Sequence, residues 1–130
     1  MVILECGLGG AEDATNVADK KLATVFTSIS RDHIGILGDT LEEIAEKKAG
    51  IMRKGVLAVS MAQESGVEAL LREKAEELSA EFIVASESLV EVSESTLEKQ
   101  VFSYGQYENI EISLAGEHQI KNAVLAIKVI

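Results

Sequence analysis

Cysteine occurs once in these 130 residues, at Cys6, which excludes a disulfide framework and fits a reducing compartment, the cytoplasm. Basic residues are scarce: 12 Lys and Arg face 22 Asp and Glu, and the formal charge of −10 argues against a nucleic-acid partner. A phosphorylated ligand would therefore have to be met through a metal ion and locally oriented dipoles. No apolar run approaches a membrane span of about eighteen residues, and no charged-then-apolar leader opens the chain, so no membrane association is expected. Internal repeats are absent. Two familiar phosphate signatures are missing as well. The stretch ECGLGG (5–10) offers Gly7, Gly9 and Gly10, but Glu12 stands where a dinucleotide fingerprint needs a third glycine, and no Gly-Lys-Ser/Thr follows.

What is present is a packed core. Hydrophobic residues make up 47% of the chain, and one domain of this length buries roughly two-thirds of its unfolded surface. VILEC (2–6), LATVFTSIS (22–30), GVLAVSMA (55–62) and EFIVAS (81–86) read as short apolar strands. Between them, GDTLEEIAEKKAGIM reads as a helix capped by Asp39 with Glu42. SGVEALLREKAEELSA reads as another, with Ser65 and Glu68 as its capping box. Alternation of this kind predicts an α/β fold, a mostly parallel sheet flanked by helices. Further on, ESLVEVSESTLEKQ reads as an acidic, serine-rich loop or weak strand, VFSYGQYENIEISL as an antiparallel hairpin, and the chain closes in a helix from about Gln119. Met1 opens directly inside a strand and NAVLAIKVI ends in mid-helix, so the chain is expected to be part of a larger protein.

Three places carry candidate chemistry. In the helix at 39–51, Lys48 lies about two turns from Leu41, on the same inward stripe, whereas Lys47 turns towards solvent. Its amine either snorkels to water or is desolvated, partly neutral and able to capture carbon dioxide as a carbamate. His33 follows the second strand, at the edge where open α/β sheets bind ligands, and Glu5 ends the first strand at the same edge. Carboxylate, imidazole and carbamate together would suit Mg²⁺. Taken singly, His33 could instead cap a backbone carbonyl and Glu5 could face water. On the last helix Asn122 lies one turn beyond His118. Its amide either is satisfied by backbone or meets the edge of an adenine.

LECGLGGAEDATN, TSISRDHIGILGDTLEEIAEKKAGI and LAGEHQIKNAVLA resemble, in order and spacing, the central ATPase domain of folylpolyglutamate synthase/dihydrofolate synthase, of the Mur ligase superfamily; GVLAVS falls where that family has its next strand. The likeness spans nearly the whole chain. It implies a domain of the P-loop NTPase type whose phosphate loop lies upstream of residue 1 and whose glutamate-binding domain lies downstream, so that residues 1–130 form an incomplete fold, inactive alone. It implies ATP-dependent ligation of L-glutamate to a folate or dihydropteroate carboxylate through an acyl phosphate. Glu5 would hold the Mg²⁺ between the β- and γ-phosphates, His33 a second Mg²⁺, and Lys48 would be the carbamylated ligand. Asn122, with His118 and Gln119, would contact adenine, and Gly7, Gly9 and Gly10 would let the corner turn beside the nucleotide. The chain departs from the family at Ala11 and Glu12, where arginine and leucine are usual, and at Lys47, where glutamate is usual. Another Mur-type ligase with a different carboxylate substrate, or a catalytically inactive binding relative, are the alternative readings.

Overall fold

The computed structural model describes residues 2–18, 20–31, 35 and 37–130. Strands β1 (Ala23–Phe26), β2 (Leu57–Met61) and β3 (Phe82–Ala85) form a parallel sheet in the order β1-β2-β3. Helices α1 (Leu41–Ala49) and α2 (Ser65–Glu77) supply the crossovers. The chain then forms β4 (Val90–Ser95), β5 (Gln100–Tyr104) and β6 (Tyr107–Ile112), a separate antiparallel sheet, and ends in α3 (Glu117–Val129).

Period-two alternation along β2 feeds two cores. Ala58 packs with Phe26, Leu41, Ala45, Val67 and Leu71 under α1 and α2. Val59 and Met61 pack with Phe102, Tyr104, Ile120 and Val124 under α3 and β5. Covering on both faces is what the unbroken apolar strands demand. No helix among the described residues is long and apolar enough to cross a membrane.

Several local expectations change. Residues 2–6 are not a strand: Val2 and Ile3 are 81% and 87% exposed, and no described strand lies alongside to pair with them. Their apolar character is real, but a strand exists only by pairing. Helix α1 is capped one residue later than the sequence suggested. Thr40 Oγ1 accepts from the Glu43 amide at 3.2 Å, and Glu43 Oε2 accepts from the amides of Asp39 at 2.7 Å and Thr40 at 3.3 Å. Those two amides hold the Glu43 carboxyl below its ordinary pKa. Ser65 caps nothing; it is the first residue of α2, and Glu68 turns to Arg72 at 2.9 Å instead. The hairpin is part of a three-stranded sheet, because β5 offers its second edge to the acidic segment. β4 joins through backbone pairing while its side chains stay largely in water.

Candidate functional site

The glycine corner is built around Asp13. Its carboxylate accepts from the Leu8 amide at 3.1 Å, the Thr15 amide at 2.8 Å and the Thr15 hydroxyl at 2.6 Å. The Thr15 hydroxyl, then the backbone amides, pull the Asp13 pKa down to about 2. Because the Thr15 proton is committed to Asp13, the Cys6 thiol is the donor in the 3.2 Å contact with Thr15 Oγ1.

Each glycine has its own reason. Gly9 sits at φ 71°, where a side chain is strained. A Cβ on Gly10 would stand 2.3 Å from the Lys47 carbonyl oxygen and 2.8 Å from that of Lys48, while a Cβ on Gly50 would stand 2.7 Å from Ala11. The corner is thus docked, backbone against backbone, on the last turn of α1. Around Gly7 there is open space. Sequence reasoning assigned all three glycines to a turn beside nucleotide; for Gly10 the geometry is that of a close approach to the turn bearing Lys48.

Three residues that the sequence reading missed lock this junction. Asn16 is buried, and its Nδ2 donates to the carbonyls of Ala11 at 3.1 Å and Gly50 at 3.3 Å. Its Oδ1 accepts from Lys21 Nζ and, at 2.9 Å, from Arg53 Nη2. Lys21 also donates to the Ile51 carbonyl at 2.9 Å, and Arg53 to those of Gly50 and Met52 at 3.1 and 2.9 Å. Two cations therefore close the carbonyl end of α1, where the helix dipole favours them. Burial, and then the neighbouring Arg53 charge, push the Lys21 pKa down. The sequence offered a signal only for Arg53, a cation four residues past the end of α1.

Past β1, Gln63 clamps the loop to β2. Its Nε2 donates to the Thr27 carbonyl at 2.8 Å and to Ser60 Oγ at 3.1 Å, and its Oε1 accepts from the Ile29 amide at 3.0 Å. His33 lies outside the described residues. Glu5 is exposed in the irregular segment before the corner, not at a strand end, and Lys48 is half-buried. Among the described residues neither the Glu5 carboxylate nor the Lys48 amine has a hydrogen-bond or ion-pair partner, so neither group is committed elsewhere. Among the described residues no group of three or more His, Cys, Asp or Glu side chains is gathered as for a metal ion.

At the start of α3, Gly116 has φ 102° and the His118 ring folds back over it: a Cβ there would stand 2.6 Å from the ring. His118 Nε2 meets Gln119 Nε2 at 3.2 Å, and Gln119 Oε1 accepts from Asn122 Nδ2 at 3.1 Å. The three residues form one polar chain on the helix surface. It leaves Asn122 one amide hydrogen and its oxygen, the donor-and-acceptor pair that an adenine edge needs.

A family profile for the Mur ligase middle domain matches residues 1–130. The dihydrofolate synthase/folylpolyglutamate synthase of Bacillus subtilis is 42% identical over 131 residues, covering 97% of this chain and 30% of that protein. Among solved structures, the apo form of the L. casei folylpolyglutamate synthase superposes with a TM-score of 0.85 at 29% identity, over 97% of this chain and 32% of that one. The Mycobacterium tuberculosis folylpolyglutamate synthase complexed with ADP and AMPPCP gives 0.82 at 34% identity, over 95% and 30%. The chain spans between 20% and 30% of the length of the curated relatives that head the comparison. With its profile matched from end to end and its two-faced parallel sheet superposed on these synthases, the chain belongs to the Mur ligase middle-domain family.

Proposed function

We propose that this chain is part of the central ATP-binding domain of a cytoplasmic ligase that joins L-glutamate to a folate or dihydropteroate carboxylate. The observation that carries the reading is the docking of the glycine corner on the last turn of α1, with Gly10 against the carbonyls of Lys47 and Lys48. The Asn122 amide, with one donor and one acceptor open, adds an adenine contact.

In this reading the α3 face holds the base, and the substrate carboxylate attacks the γ-phosphate to give an acyl phosphate and ADP. The amino group of glutamate then displaces phosphate. Most of the rate comes from holding the two anions together in line. The Lys48 ammonium first gives up a proton, and the free amine adds to carbon dioxide, forming a C–N bond and releasing a second proton, so that a cation becomes an anionic oxygen donor. Glu5 and this carbamate would offer the hard oxygen donors that Mg²⁺ prefers, with the His33 imidazole as a less usual nitrogen ligand beside them. When bound, Mg²⁺ supplies the positive charge that offsets carboxylate–phosphate repulsion in a domain of net charge −10.

The test uses the full-length protein. Folate- and glutamate-dependent ADP release should fall about 100-fold or more in Lys48→Ala. Stripping carbon dioxide should slow the unaltered protein, and bicarbonate should restore it, with the variant indifferent to both. Undiminished turnover in Lys48→Ala would sink the reading.

A further inference from the structure

Among the described residues, Gln100 is the one fully buried polar side chain of the second core that no part of this reading uses. It lies on the same face of β5 as Phe102 and Tyr104, the face against α3, and is 0% exposed. Its Oε1 is buried with no partner. A leucine or methionine would pack there without that cost, so the amide's role must lie in its other end. Nε2 donates to the Leu114 carbonyl at 2.6 Å and to the Gly116 carbonyl at 3.0 Å. Both amide hydrogens are spent on two carbonyls two residues apart. Flipping the amide would set its oxygen against both of them, so its orientation is fixed.

Those two carbonyls flank Ala115 in the loop that launches α3, whose N-terminus has no side-chain cap. The Gly116 carbonyl also accepts from the Gln119 amide at 2.9 Å, and the His118 ring rests on Gly116. A shift of this loop is therefore passed to His118, to Gln119 and, through the 3.1 Å bond, to Asn122. We infer that Gln100 is a positioning residue for nucleotide: from the core it sets the 114–116 loop and hence the angle at which Asn122 presents its amide. The inference rests on Asn122 meeting adenine, as proposed above.

Full-length Gln100→Met keeps the volume and loses both donors; Asn122→Ala removes the contact itself. Each should weaken AMPPCP binding, measured by titration calorimetry, by about tenfold, the scale of one lost hydrogen bond. The double variant should be no weaker than Asn122→Ala alone. In steady state Gln100→Met should raise KM for ATP while kcat at saturation changes far less, a split that general loosening of the fold would not give. If Asn122→Ala weakens binding and Gln100→Met lowers only the melting temperature, the positioning role is overturned and the adenine contact stands. If Asn122→Ala leaves AMPPCP binding unchanged, the adenine contact fails and this inference falls with it. Should Gln100→Met not fold, the side-chain amide resonances of Gln100 in the unaltered protein decide. They should be slow to exchange and should shift on saturation with AMPPCP; resonances that do not move would overturn the role.

Discussion

Helix α1, which carries Lys48, and helix α3, which carries Asn122, are held in contrasting ways. α1 is gripped at both ends: Thr40 and Glu43 close its amide end, while Asn16, Lys21 and Arg53 close its carbonyl end against the glycine corner. α3 starts from a glycine with no side-chain cap, and its entry loop is set from behind by one buried glutamine. The difference teaches where each site is fragile. Around Lys48 a lost hydrogen bond leaves several others, but the backbones have no room to move. Around Asn122 there is room, and one side chain governs the angle.

The largest effect should come from filling the space between the corner and α1. Gly10→Ala puts a methyl 2.3 Å from the Lys47 carbonyl oxygen, a backbone atom that cannot swing aside. A loss of about 2–3 kcal/mol is expected from overpacking, read as a lower urea midpoint. Gly7→Ala, facing open space, should cost far less. Equal losses at the two positions would mean that the corner is not docked as described.

A smaller effect separates two helix starts that look alike in sequence. Thr40→Ala removes the acceptor for the Glu43 amide and should cost about 1 kcal/mol. Ser65→Ala should change stability by less than about 0.5 kcal/mol, because Ser65 lies inside the helix and caps nothing. Denaturant titration of both variants checks the pair, and a larger loss at Ser65 would reverse the assignment.

That pair also marks how far the sequence could be read. The two-faced parallel sheet was legible, since unbroken apolar strands between amphipathic helices leave few other packings. The cap of α1 was not: Asp39-x-x-Glu42 and Thr40-x-x-Glu43 both satisfy the pattern, and only the reach of Glu43 back to two amides decides between them. Val2-Ile3-Leu4 misled for a different reason, because apolar residues announce burial but not the partner that provides it. β4 was hard to read because its acidic side chains face water and its pairing lies in the backbone. Asn16, Lys21 and Gln100 act through carbonyls of residues distant in the chain, and Arg53 reaches Asn16 across 37 residues, contacts that no local spacing encodes.

The smallest effect lies in the corner's own acid. Asp13 has a folded-state pKa of about 2, below its ordinary 3.8, chiefly because the Thr15 hydroxyl and amide donate to its charged form. A carboxyl whose pKa is lowered on folding contributes stability that is fully present above the unfolded value and fades as pH falls towards the folded one. The contribution should therefore be intact above about pH 4 and be lost between about pH 4 and pH 2. Solvent screening keeps it modest. Asp13→Asn keeps the side-chain oxygen but not the charge, so it should flatten that part of the stability–pH curve and leave the α3 end untouched. Urea midpoints of both proteins across this window, with AMPPCP affinity at neutral pH, read the two ends separately. An unaltered acid slope in Asp13→Asn would remove Asp13 as the pin of the corner.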